Sequence, residues 1–92
     1  MTFREKIAVP KHVLIRQIEE ESVLLNLENE RYFGLDPVGT RMWTVLTSSD
    51  SVQAAFETLL AEYDVAAEQL RENLQTLLGE LQTNGLIEVR EG

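Results

Sequence analysis

The sequence predicts an α+β fold: a three-stranded antiparallel sheet followed by three helices. Three observations predict it. β-rich runs at 12–18, 22–27 and 31–35 come first, separated by short Glu-containing breaks. A strand-to-helix joint follows, Gly34-Leu35-Asp36-Pro37, in which Asp36 suits an N-cap and Pro37 the first helical position, where a missing N–H costs nothing. Beyond the joint, apolar residues recur at helical spacing. Strands in one run and helices in the next indicate segregated layers rather than alternating βαβ units.

Residues 1–11 show no clear period, and the first few are expected to be loose. Pro10 and Lys11 mark where the fold begins. The first strand, HVLIRQI at 12–18, is β-rich and moderately alternating. Glu19-Glu20-Glu21-Ser22 suits a hairpin turn, and its three adjacent carboxylates read as a solvated loop. In the second strand, Val23, Leu25 and Leu27 share one face while Ser22, Leu24 and Asn26 share the other. Glu28-Asn29-Glu30 makes the next turn, with Asn29 the residue best able to take a positive φ. The third strand, RYFGL at 31–35, is an edge strand if the three form a meander. Its unpaired N–H and C=O groups are then either a hazard or a docking site.

The first helix, about 37–47, carries Val38, Met42, Val45 and Leu46 on one stripe with Trp43 beside it as core. Gly39 allows close approach of a neighbouring element. Thr47-Ser48-Ser49-Asp50-Ser51 is a polar break rich in capping groups. The second helix, about 52–63, places Val52, Ala55, Phe56, Leu59, Leu60 and Tyr63 at 3-4 spacing. The third and longest, about 67–84, has Leu70, Leu74, Leu77 and Leu81 as its central stripe, with Leu78 widening one flank. Gly85 is a natural residue to follow its end. Residues 86–89 read as a short extended tail that packs back. The helical part suits a winged-helix-like arrangement.

The chain has 92 residues, 43% of them hydrophobic, which fits one domain with one core. It has no cysteine, so disulfides, thiolate nucleophiles and cysteine zinc sites are excluded. No apolar run approaches the roughly 18 residues that span a bilayer. The N-terminus lacks the apolar stretch of a secretory signal, and the expectation is a cytoplasmic protein. Net charge is −8, and residues 51–92 carry eight acids against two bases, Arg71 and Arg90. The charges of the third helix are Glu68, Arg71, Glu72 and Glu80, whereas a major-groove helix needs the opposite sign.

Nothing in the residues argues for an enzyme. Catalysis needs a nucleophile with its base, paired carboxylates in a cleft, or a metal. His12 stands alone, at a strand end or on the surface. The five glycines are too dispersed for a phosphate loop. The residues alone therefore indicate a small acidic binding module with no catalytic residue, no metal and no cofactor.

VLLNLENERYFGLDPVGTRMW, then a helix, then AEYDV, then LRENLQTLLGELQTNGLIEV resembles the PqqD-like family, the RiPP recognition elements of ribosomally made, modified peptides. The resemblance covers about 12–89, so the chain reads as a single PqqD-like domain. The RYFGLDPVGTRMW segment looks less like the dedicated quinone-cofactor (PQQ) protein than like the broader group, which includes the leader-binding subunits of lasso-peptide systems. Glu30 stands where the family often has Gly, Ala66-Ala67 where Asp-Pro is frequent, and Asn73 where Asp is frequent.

The resemblance implies three antiparallel strands followed by three helices. It also implies a non-catalytic protein that binds the leader segment of a precursor peptide and presents it to a modifying enzyme: a protease, cyclase or radical enzyme. The leader would add as a strand on the edge of the third strand, against the third helix. Carried onto this chain, the strand positions are Glu30, Arg31, Tyr32, Phe33 and Gly34. On the helix they are Arg71, Leu74, Gln75 and Leu78, with Arg71 pairing an acidic leader residue. The competing readings are a winged-helix DNA-binding regulator, which wants a basic stripe this sequence lacks, and an adaptor that meets only folded protein. No nucleic-acid or membrane partner is expected. The free edge would also let two copies pair as a homodimer.

Overall fold

The computed structural model describes residues 3–91. Along the chain run β1 (Glu5–Ala8), β2 (Val13–Ile18), β3 (Glu21–Asn26), β4 (Arg31–Leu35), α1 (Pro37–Ser48), α2 (Val52–Glu62), α3 (Ala67–Thr83) and β5 (Glu88–Glu91). β2, β3 and β4 form an antiparallel meander with β3 in the middle, and β1 pairs with β5 in a separate two-stranded sheet. The α+β class and the order of three strands then three helices are those read from the sequence.

The β1–β5 sheet is the addition. EKIA is only four residues long and buries a single side chain, Ile7, too little to show a period. The expected loose start falls in part on residues 1 and 2, outside the described residues. Phe3 already belongs to the core, and its carbonyl accepts from the Gln53 N–H at 2.7 Å. The tail at 86–89 pairs as a strand only from Glu88 onward; Leu86 and Ile87 are buried, and the Leu86 N–H is spent on the end of α3.

The two hairpin turns are tight. Ile18 pairs with Glu21, so Glu19 and Glu20 alone close the first, with Glu19 at φ 59°. In the second turn the positive φ belongs to Glu30, also 59°, and not to Asn29. Asn29 instead uses its Oδ1 to accept from the Arg31 N–H at 3.0 Å, an Asx-type contact that leaves the left-handed position to the next residue.

Helix ends follow the local chemistry. Asp36 caps α1 by accepting from the Gly39 N–H at 2.7 Å, with Pro37 opening the helix. A Cβ on Gly39 would meet the Asp36 carboxylate and the Leu35 side chain at 3.2 Å, so the close approach there is to its own capping turn. Ser51 caps α2 through the Ala54 N–H, whereas Ala66 gives α3 no side-chain cap. α3 ends in a Schellman motif: Leu86 N–H bonds to the Leu81 carbonyl at 2.9 Å and Gly85 N–H to that of Gln82 at 3.1 Å. Gly85 has φ +68°, the left-handed geometry this motif needs.

The core joins all layers. Ile7, Leu24, Leu46, Val52, Leu59, Leu70, Leu74, Leu78, Leu81 and Leu86 are its most completely buried large side chains, and Trp43 lies within it. On α3 the buried stripe is Leu70, Leu74, Leu78 and Leu81, with Leu77 half-buried at its rim. Leu77 and Leu78 thus exchange the places their spacing suggests, since both satisfy a 3-4 rhythm between Leu74 and Leu81. Val38, expected on the α1 stripe, is exposed.

Candidate functional site

β4 is an outer strand of the meander, bonded to β3 on one side and to no strand on the other among the described residues. Its register fixes what each residue faces. Arg31, Phe33 and Leu35 pair with Asn26, Leu24 and Ser22, the buried positions of β3, and so lie on the inner face. Tyr32 and Gly34 pair with Leu25 and Val23 on the outer face.

The strand therefore gathers Arg31, Tyr32, Phe33 and Gly34 along one open edge, with Glu30 at the turn before it. Tyr32 is 74% exposed, and its hydroxyl has no hydrogen-bond partner among the described residues. The Arg31 side chain is exposed and free of ion pairs among the described residues. Phe33 is half-buried against the core. Nothing lies within 4 Å of where a Cβ on Gly34 would stand, so the strand's outer side is bare there. A shallow depression of about 340 Å³ opens at this end, between Ile18, Val23, Gly34 and Asp36.

The helix positions divide differently. Leu74 and Leu78 have no accessible surface, so they underlie the structure as core and do not line a surface groove. They do not face a surface groove because both belong to the buried stripe of α3. Arg71 is exposed but engaged: its guanidinium stacks over the Phe3 ring at 4.7 Å and the Phe56 ring at 4.9 Å. That places the Arg71 flank against α2 and the N-terminal segment. Gln75, one turn on, shares this flank and is exposed.

The opposite flank carries Leu77 and Asn73. Leu77 lies about 240° around the helix axis from Arg71, half-buried where Arg71 is exposed. The sequence held no local signal to choose between Leu77 and Leu78. The choice depends on which flank α2 covers.

The site is tied to the rest of the fold through buried polar contacts. Thr40 Oγ1 donates to the Leu35 carbonyl at 3.3 Å, leaving the Ser22 hydroxyl to donate to Thr40 at 2.8 Å. This fixes the last residue of β4 to α1 and to β3. Asn26 donates to the Asn84 carbonyl at 2.9 Å and accepts from the Glu28 N–H at 2.9 Å, locking the β3–β4 turn to the end of α3. His12 Nε2 lies 3.1 Å from the Gly85 carbonyl and 3.4 Å from a Glu28 carboxylate oxygen, an arrangement that uses its proton structurally.

The displaced ionisations lie elsewhere. Arg41 on α1 donates to Glu62 on α2 through Nε at 2.9 Å and also through Nη2. These hydrogen bonds first, and charge second, hold the Glu62 carboxyl below its ordinary value and raise Arg41 above its own. Among the described residues no group of three or more His, Asp or Glu is placed to hold a metal ion, and no helix is long and apolar enough to cross a membrane.

An open-edged antiparallel meander backed by three helices, with a polar-and-aromatic edge strand and no gathered catalytic groups among the described residues, has the geometry of a small binding module. The family model described as coenzyme PQQ synthesis protein D (PqqD) matches residues 21–87, well over half the chain. The chain belongs to the PqqD family. Among solved structures it is similar to TbiB1 in complex with the TbiA(beta) leader peptide, at 32% identity and TM-score 0.82, covering 88% of this chain and 94% of that one. A lasso peptide synthetase B1 complexed with the leader peptide shares the fold, with TM-score 0.80, 19% identity, and 90% and 98% of the two chains covered. A search of curated proteins gave no match.

Proposed function

We propose that this protein is a non-catalytic recognition subunit that binds the leader segment of a ribosomally made precursor peptide and presents it to a modifying enzyme. The observation that carries this reading is the free β4 edge, in a chain 32% identical over most of its length to a protein solved with a leader peptide. The leader adds as a strand beside β4. Its backbone hydrogen bonds supply affinity, and its alternate side chains supply specificity. Phe33 and Leu77, both half-buried on the rim of one core, form the apolar floor. Arg31 offers a cation with no ion pair among the described residues for an acidic leader residue, a role better suited to it than to Arg71, whose guanidinium already stacks on two rings. Glu30, Tyr32, Gly34 and Gln75 remain contact positions in this proposal, and Asn73 joins them on the Leu77 flank. Leu74 and Leu78 support the site from beneath.

The test is a fluorescence-anisotropy titration with labelled leader peptides from small open reading frames beside this gene. One peptide binds saturably, and Arg31→Glu with Tyr32→Asp weakens it by about tenfold or more while the circular dichroism spectrum is unchanged. Undiminished affinity in the folded double variant sinks the edge assignment. Failure of every leader to bind the native chain sinks the reading itself.

A further inference from the structure

The outward face of the β2–β3–β4 sheet carries Leu14, Ile18, Val23 and Leu25 beside Arg16 and Glu21, an apolar share large for a solvent-facing sheet, which is ordinarily polar. By register Leu14, Leu25 and Tyr32 form one row across the three strands, and Arg16, Val23 and Gly34 the next. Leu14 is 53% exposed and Ile18 62%; Leu27, just past the end of β3, is 50%. Leu14, Ile15, Arg16, Val23, Leu25 and Tyr32 line a shallow depression of about 450 Å³. Strand addition at β4 engages Tyr32 and Gly34 at the edge and leaves the β2 and β3 part of this face uncovered. A contiguous exposed apolar patch of this kind marks an interaction surface.

The charge around the patch selects its occupant. Both turns carry exposed acids in excess: Glu19, Glu20 and Glu21 at the first, and Glu28 and Glu30 at the second, where Arg31 offsets one of them. Two copies stacked with aligned strands, parallel or antiparallel, would set acidic turn on acidic turn in a chain of net charge −8. An anionic membrane is repelled for the same reason. We propose that this face docks a folded protein whose contact surface has an apolar centre flanked by two Lys/Arg clusters. A six-residue strand sets those clusters about 20 Å apart. Apolar burial supplies the affinity, and the acidic ends steer the encounter and fix its orientation.

The choice of probe rests on the proposed function; the surface itself does not. The folded modifying enzymes encoded beside this gene are purified and titrated one by one against the immobilised full chain and against a Leu14→Thr/Leu27→Thr variant, at low and high salt. Leader affinity is measured on the same samples. One enzyme binds the native chain, and the variant weakens it by about tenfold or more with leader affinity unchanged. Added salt and Glu20→Lys/Glu21→Lys weaken it as well. Equal binding to the native chain and the Leu14/Leu27 variant overturns the proposal, as does the absence of any enzyme binding to the native chain. Self-association of the native chain in sedimentation, lost in the variant, overturns it in favour of a second copy. A native chain that binds its enzyme and no leader counts against the proposed function alone.

Discussion

The two faces of the meander divide their chemistry in opposite senses. The inner face of β3 presents Ser22, Leu24 and Asn26, two of them polar, yet all are buried and both polar side chains are bonded. The outer face presents Val23 and Leu25, apolar and at least partly open to solvent. On a sheet stabilised by apolar burial alone, this strand would turn over. It does not, because the Ser22–Thr40 and Asn26–Asn84 contacts exist only in the observed register, and turning over would leave those groups on solvent while losing Leu24 from the core. The lesson is that buried polar side chains on the inner face are held by specific partners on α1 and at the end of α3, while the apolar set on the outer face is open to another molecule.

Inner-side changes should act on stability and outer-side changes on binding. The largest expected effect is at Leu78, fully buried on α3. Leu78→Ala should cost about 2–5 kcal/mol in urea unfolding, and a loss under 1 kcal/mol would mean that the α3 stripe is misassigned. Next is Asn26→Ala, which strands the Asn84 carbonyl and the Glu28 N–H; about 1–3 kcal/mol is expected by the same measurement. Leu14→Thr, on the outer face, should shift stability by no more than about 0.5 kcal/mol. A larger loss would show that the outer face contributes to the fold. The smallest effect concerns Glu62, whose carboxyl is held below its ordinary value by Arg41. A lowered folded value means the stabilisation is present above the unfolded carboxylate pKa of about 4.3 and is lost as pH falls through the folded value. Glu62→Gln should therefore lower the melting temperature slightly at neutral pH, and the difference from the native chain should close in acid. A gap that widens in acid would contradict the sign.

The meander, the Asp36-Pro37 joint and the three helices were legible because each rests on short-range chemistry: alternation, a capping carboxylate, a 3-4 rhythm. β1 was not legible, since a four-residue strand with one buried side chain becomes a strand only through its partner at the other end of the chain. The β4 part of the candidate site could be read from RYFGL and its edge position. The α3 part could not, because Leu77 and Leu78 are equivalent to any periodicity and only the covering by α2 separates them. Arg71 looked like a free cation for want of any sign that Phe3, far off in sequence, would lie beneath it. The inverted faces of β3 were open in the sequence for a similar reason: the partners of Ser22 and Asn26 lie on α1 and at the end of α3.

The β1–β5 pairing has a consequence for the order of folding. Glu5 pairs with Glu91 and Ile7 with Val89, so this ladder closes a loop containing nearly the whole chain. The β2–β3–β4 meander closes only tight turns. Loop-closure entropy grows with the enclosed length, and contacts between distant residues form late. On this ground the meander and its docked helices should assemble first and the terminal strands clasp afterwards, bringing Phe3 under Arg71 and within 5.7 Å of the Phe56 ring. The clasp is also the first part to open. Amide exchange in β1 and β5 should outpace that in β3, with the β4 edge and its proposed occupant undisturbed while the termini come apart.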